Sequence, residues 1–192
     1  MSRIGRIRRK TEETSVSVRI DLDGNGRADI DTPIRFFNHL LTSFAKHGCF
    51  DLKITARGDF EHHIAEDTMI VLGEAIERAL GKKVGIQRMG DAIVPMDDAL
   101  VLVAVDMSGR AFPDIEARFA KRRLDDLSSD LVVHLLQTLA TNGRFNLHVK
   151  VLRGKNDHHK AEAIFKALGV ALGKAVRTTS RRKGVPSTKG VL

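Results

Sequence analysis

With 192 residues, 42% of them hydrophobic and 29% charged, the chain is long enough to bury a core, as one ordinary domain or as two fused halves, and is too apolar for disorder. A single cysteine, Cys49, excludes an internal disulfide, and no signal-like or membrane-length apolar run opens or interrupts the sequence, so a soluble cytoplasmic protein without a membrane partner is expected. The formal net charge of +8 favours anionic partners, but Trp and Tyr are absent and no aromatic-and-basic pattern suited to stacking bases is present, so nucleic acid is not the preferred partner.

The first half opens with basic "RIGRIRRK". "VSVRIDLD" then alternates as a strand should, "GNG" marks a turn, and "RADID" reads as the returning strand of a hairpin. "PIRFFNHLLTSFAKHG" predicts a helix with Pro33 near its start, an apolar face of Phe37, Leu40, Leu41 and Phe44, and Gly48 as its stop. "FDLKITARG" reads as a strand, and His62 to Leu80 as a longer helix ended by Gly81. The second half follows the same order. "ALVLVAVDMSG" reads as a buried strand with "FPDIEARF" as its partner, "SSDLVVHLLQTLATNG" as a helix, "RFNLHVKVLRG" as a strand, and His158 to about Val176 as a helix.

This order is strand, strand, helix, strand, helix, twice over, and the residues themselves repeat. "HLLTSFAKHGCFDL" aligns with "HLLQTLATNGRFNL", and "HHIAEDTMIVLGEAIERA" with "HHKAEAIFKALGVALGKA" at a shift of 96. Amphipathic helices of separate origin would share apolar spacing but not both histidines and the glutamate. The expected fold class is therefore α+β, an internally duplicated unit in one compact domain, with residues 1–90 as one half and 91–192 as the other.

Each half carries one histidine on its first long helix, His39 or His134, and an "HHxxE" at the start of its second: His62, His63 and Glu66, then His158, His159 and Glu162. On a helix, adjacent side chains point about 100° apart while residues three or four apart share a face. Either histidine of a pair can therefore join the glutamate on one ion, but the two histidines are poorly placed to share one. Each pair more naturally serves two ions. Two metal sites of three histidines and one glutamate each, related by the duplication, are the economical solution, and a neighbouring subunit can supply missing ligands. Imidazole and carboxylate together suit zinc, iron, manganese or nickel.

The chain resembles the imidazoleglycerol-phosphate dehydratases of histidine biosynthesis. The resemblance is carried in order by "RKTEETSVSVRIDLDG", "FFNHLL", "HGCFDL", "HHIAED", "IQRMGD", "PMDDAL", "DMSGR", "GKNDHHKAEAIFKALG" and "PSTKGVL". It implies helices packed between two sheets and a homo-oligomer of 24 subunits with intersubunit metal sites. It also implies two divalent ions per active site, normally manganese, held by the eight residues His39, His62, His63, Glu66, His134, His158, His159 and Glu162. The implied activity is that of a carbon–oxygen lyase that removes water from D-erythro-imidazole glycerol phosphate to give imidazole acetol phosphate, with the hydrogen taken from the carbon beside the ring. By the same resemblance Glu13 is the first candidate for the general base, with Glu66 and Glu162 as alternatives. Glu13, His47, Arg88, Arg110, Lys166, Ser187, Thr188 and Lys189 are implied to bind substrate. His47 has Asn142 as its duplicate, which removes it from the paired ligand pattern. Glu61 stands where an Asp pair is common, Asp98 where Glu is usual and Thr188 where Ser is usual; these bear on loop geometry and substrate contacts, not on the ligands. Two other readings compete, a basic metal-stabilised nucleic-acid-binding protein and a di-metal phosphohydrolase.

Overall fold

The computed structural model describes residues 3–190 and Leu192. Its elements in chain order are β1 (Ile4–Lys10), β2 (Thr14–Asp21), β3 (Ala28–Asp31), α1 (Arg35–Gly48), β4 (Asp51–Gly58) and α2 (Glu61–Leu80). The second half contains β5 (Met89–Met96), β6 (Ala99–Asp106), β7 (Phe112–Glu116), the short β8 (Arg123–Leu124) and β9 (Leu127–Ser128), α3 (Ser129–Gly143), β10 (Asn146–Arg153) and α4 (Asp157–Val176). The duplicated α+β unit is as expected, and each half adds a leading strand, β1 or β5, ahead of the predicted ones. Charge concealed the first of these: in "IGRIRRK" Gly5 is buried and Ile7 half-buried, while Arg6 and Arg8 alternate outward or to the rim.

Both four-stranded sheets have the same order, β1-β2-β4-β3 and β5-β6-β10-β7. The expected hairpins of "VSVRIDLD" with "RADID" and of "ALVLVAVDMSG" with "FPDIEARF" do not form. β2 is flanked by β1 and β4, and β6 by β5 and β10, all antiparallel, whereas β3 and β7 run parallel to β4 and β10 at the sheet edges. Burial explains the difference. β2 and β6 bury every second residue, as inner strands with one face on a core do, whereas β3 and β7 are largely exposed.

The helices lie between the sheets. α2 packs on β1 and β2, α4 on β5 and β6, and the two halves meet through α2 against α3 and α1 against α4. Phe37, Leu40, Leu41 and Phe44 of α1 are buried as predicted, in one core shared with Leu135, Leu136, Phe165 and Leu168 of the other half. Gly81 ends α2 with φ 54°. Gly48, by contrast, is the last residue of its helix, and the left-handed turn that ends α1 falls on Cys49, just as Arg144 rather than Gly143 turns the chain after α3.

Gly48 and Gly143 serve a different purpose. A Cβ on Gly73 would come within 2.7 Å of the Gly143 nitrogen, and one on Gly169 within 2.4 Å of the Phe44 carbonyl oxygen and 3.0 Å of the Gly48 nitrogen. Both interhalf helix pairs thus cross with backbone against backbone at a pair of glycines. In an exposed helix Gly→Ala stabilises by about 1 kcal/mol. At Gly169 the added methyl meets immovable backbone, and overpacking of this kind costs about 1–3 kcal/mol. Gly169→Ala is therefore expected to lower the urea midpoint of unfolding, and a raised midpoint would show that the crossing tolerates side chains.

Candidate metal centres

The helix starts that present the histidines are fixed by contacts between distant segments. Asp126, in the turn between β8 and β9, accepts from the backbone N–H groups of Arg35 and Phe36 at 2.8 Å each and so caps α1. Asp157, the first residue of α4, is buried and accepts from the N–H groups of Ala120 and Lys121, while the Asn156 side chain caps α4 by accepting from His158 N–H. Glu61 accepts from Ser128 N–H at the start of α3 and pairs with Arg123.

Held in this way, the imidazoles and carboxylates form two triads. His62 and Glu66 of α2 meet His134 of α3, and His158 and Glu162 of α4 meet His39 of α1; in each, the three donor atoms lie within 4.8 Å of one another. In the first, Glu66 lies 2.8 Å from His134 Nε2 and 3.6 Å from His62 Nε2. In the second, Glu162 lies 3.4 Å from His39 Nε2 and 3.6 Å from His158 Nε2. Three donors of these types converging within 4.8 Å of one another fit a divalent transition-metal ion. Each triad draws on both halves.

His63 and His159 stand outside both triads. The rings of His62 and His63 are inclined at 86° and those of His158 and His159 at 89°, in keeping with the angular spacing of neighbouring helical residues. His63 Nδ1 lies 2.9 Å from Asp59 and 3.7 Å from Glu13; His159 Nδ1 lies 2.7 Å from Asp98. Within one chain each triad thus has two histidines and one glutamate, not the three and one expected of a complete site.

Charge is arranged to keep the carboxylates ionised. Burial opposes ionisation of Glu162, but hydrogen bonds from Lys166, at 2.8 Å, and from His39 outweigh it and hold the carboxyl below its ordinary range. The Asp59 carboxylate holds the His63 imidazole above its usual range against desolvation, with a lesser contribution from the Glu13 charge. Asp98 is held well below the usual carboxylate range by the N–H of Asn156, by His159 and by the N–H of Lys155. Asp59, and Asp125, whose carboxylate lies 2.9 Å from His158 Nδ1, were not signalled by any motif, and "PMDDAL" gave no sign that Asp98 would face His159.

The implied substrate residues divide among separate places. Lys166 is bound to Glu162 and to the sulfur of Met96, beside the second triad. His47, at the end of α1, has its pKa lowered by partial burial and by the Lys166 charge, and it lines a recess with Arg3, Asp23 and Lys174. Arg88 forms a bidentate pair with Asp106 at 2.7 and 3.0 Å and donates to the Pro186 carbonyl, which leaves one N–H on each terminal nitrogen for another acceptor. With Arg182, Ser187 and Thr188 it lines one recess, and Lys189 follows in the same turn, its N–H on Ser187 Oγ. Arg110 is exposed in the connection from β6 to β7, where its carbonyl accepts from Asn146. Glu13, at the tip between β1 and β2, has 60% of its side chain exposed.

Comparison with known proteins places these features in a family. The model of the imidazoleglycerol-phosphate dehydratase family matches residues 32–172. The imidazoleglycerol-phosphate dehydratase of Dehalococcoides mccartyi is 52% identical over 191 residues, 99% of this chain and 97% of that protein. That of Chloroflexus aggregans is 54% identical over 190 residues, covering 97% and 93%. Among solved structures, imidazoleglycerol-phosphate dehydratase from Staphylococcus aureus superposes with a TM-score of 0.84 at 35% identity, covering 92% of this chain and 99% of that one. The enzyme from Pyrococcus furiosus gives 0.85 at 40%, covering 97% and 100%.

The triads lead to a direct expectation. His134→Ala should lower the bound metal found by elemental analysis, whereas His148→Ala should leave it unchanged, because His148 sits on β10 beside Asp114, outside both triads. Equal metal content in both variants would remove His134 from the ligand set.

Proposed function

The chain belongs to the imidazoleglycerol-phosphate dehydratase family, hydro-lyases of histidine biosynthesis, and we propose that it dehydrates D-erythro-imidazole glycerol phosphate at a site built on the two triads. The observation that carries this reading is the pair of matched His–Glu–His groups, related by the duplication and each drawn from both halves. A substrate ring with two nitrogens gives two such groups a shared purpose. His62, Glu66 and His134 would hold one divalent ion and His39, His158 and Glu162 the other, with manganese the expected metal. So held, the ions would bind the substrate imidazole and supply Lewis acidity to its nitrogens.

The product fixes which bonds change. Imidazole acetol phosphate has its ketone one carbon further from the ring than the hydroxyl that is lost, so the C–H proton comes from that second carbon and not, as first expected, from the carbon beside the ring. The ring, giving up its N–H proton, drives out the hydroxyl of its attached carbon as water; the base then removes the proton from the next carbon, the electron pair returns to the ring, and a ring nitrogen regains a proton to give the enol, which tautomerises to the ketone. Glu13 is the proposed base. It is a largely exposed carboxylate beside His63, whereas Glu66 and Glu162 are enclosed by imidazoles and suited to ligation. Lys166 beside the second triad, and Arg88, Arg110, Ser187, Thr188 and Lys189, would receive the phosphate, and His47 would approach the substrate; Arg adds paired donors and Lys a point charge.

With two histidines and one glutamate per triad, and with His63 and His159 directed elsewhere, the sites call for further ligands. Self-association into the 24-subunit particle, with His63 and His159 completing sites on neighbouring copies, would supply them. Among the described residues no helix is long and apolar enough to cross a membrane, and a cytoplasmic setting is proposed.

Manganese-loaded, assembled protein is expected to convert imidazole glycerol phosphate to the ketone with its phosphate retained. Release of inorganic phosphate would point instead to a phosphohydrolase, and salt-sensitive nucleic-acid binding without turnover to the structural-metal reading. Glu13→Gln should lower kcat by roughly 10²–10⁴-fold; a rate within a factor of a few of the unaltered enzyme would move the base elsewhere.

A further inference from the structure

The duplication extends into the hairpins that face the second histidine of each pair. β1 and β2 match β5 and β6 at a shift of 85, so that Ile4 corresponds to Met89 and Thr14 to Ala99. Glu13, the residue before β2, then corresponds to Asp98, the residue before β6. Both tips lie against the second histidine: Glu13 is 3.7 Å from His63 Nδ1, and Asp98 is 2.7 Å from His159 Nδ1. Their circumstances differ. Asp98 Oδ2 accepts the backbone N–H groups of Lys155 at 2.5 Å and Asn156 at 2.9 Å, just ahead of α4, which fixes the carboxylate while its Oδ1 takes the imidazole. In the first half that task falls to Asp59, four residues before His63, whose Oδ1 also accepts Phe60 N–H.

We propose that Asp98, and Asp59 in the other half, are positioning residues that hold His159 and His63 in the Nδ1–H form, so that Nε2 is the atom each offers to a metal. The proposal rests on the metal reading given above. A carboxylate only accepts, so the nitrogen facing it carries the proton and the opposite nitrogen keeps its lone pair. Two groups face the opposite nitrogen of His159, and of these the Asp97 carboxylate, which would favour a proton on Nε2, is the weaker influence, at 3.5 Å against 2.7 Å for Asp98 on Nδ1. Asn156 accepts His158 N–H through its Oδ1, which turns its amide nitrogen toward His159 Nε2 at 3.5 Å, a donor facing a lone pair; the exposed Asp97 carboxylate lies at the same distance. A second consequence concerns Glu13. Because Asp59 already anchors His63, the hairpin tip of the first half is released from the anchoring that its counterpart Asp98 performs and is left for the reaction.

Asp98→Asn gives a sharp test. The two backbone N–H groups require an oxygen, so the single oxygen of the amide faces them and its NH2 faces His159 Nδ1. The ring must then accept there and carry its proton on Nε2, the wrong nitrogen for ligation. Loss of such a partner weakens metal binding by about ten- to a hundredfold. Manganese titration of the metal-free protein by calorimetry should show that loss in Asp98→Asn and its recovery in Asp98→Glu, and long-range proton–nitrogen spectra of histidine-labelled protein should show the tautomer change. If His159→Ala leaves manganese binding unaltered, the metal reading itself fails. If His159→Ala weakens binding but Asp98→Asn changes neither affinity nor tautomer, the positioning role fails. Should Asp98→Asn not fold, an Nε2–H tautomer for His159 in the unaltered protein would equally overturn it.

Discussion

Backbone contact at the two glycine crossings governs the rest of this molecule. Helices separated by ordinary side chains keep their axes 8–10 Å apart; where Gly73 meets Gly143, and Gly169 meets Gly48, no Cβ stands between them. Glu66 lies seven residues before Gly73 and His134 nine before Gly143, so the ligands sit about two turns, roughly 10–13 Å, from the crossing on helices that leave it in the same direction. The second pair repeats these intervals from Gly169 and Gly48. A close crossing therefore carries donors from different halves of the chain to within bonding reach of a common point. The sheets back this arrangement: α2 rests on β1 and β2, and α4 on β5 and β6, so each histidine pair is presented from a helix braced on a sheet.

Sequence reasoning reached the helices, the duplication and the six residues that converge in the triads because all three are written in short-range patterns. Apolar residues recur at helical spacing, and the repeated histidines and glutamates survive side by side. What it missed depends on partners far away in the chain. Nothing in "RADID" distinguishes a hairpin strand from an edge strand parallel to β4, because the competition for the edge of β2 is decided by β4, about twenty residues later. Gly48 and Gly143 follow helical runs and so resemble stop signals; their use in the crossings depends on Gly169 and Gly73 in the other half. The division of the ligands was likewise illegible, since His134 joins Glu66, and His39 joins Glu162, across the halves. Asp59 and Asp125 belong to no motif, Asp98 lies in "PMDDAL" without a sign of its partner, and only the fold brings them to Nδ1 of their histidines.

The two halves agree in the triads and disagree around them. Lys166, on the carboxylate of the second triad, has the apolar Ile70 as its counterpart; His47 has Asn142. The β8–β9 turn that brings Asp125 to His158 and Asp126 to the start of α1 has no equivalent between β3 and α1, where the chain passes directly from strand to helix. Glu13 is exposed at one hairpin tip and Asp98 is tied down at the other.

Arg88 shows how a matched position can diverge by its surroundings. Its counterpart at the shift of 85 is Arg3; each precedes its leading strand, pairs with an aspartate near the end of the second strand, and donates to a backbone carbonyl, Val176 for Arg3 and Pro186 for Arg88. The chain beyond Pro186 brings Ser187 and Thr188 to Arg88, whereas Arg3 faces the end of α4 and Asp23. An imidazole ring is close to symmetric about its two nitrogens, and a symmetric pair of triads suits it. A substrate with one phosphate lacks that symmetry, and on the proposed function one arginine of a duplicated pair, with Ser187 and Thr188 in its recess, would give that phosphate one end of the site to occupy. Duplication supplies the paired triads, and the departures from it make their surroundings unlike.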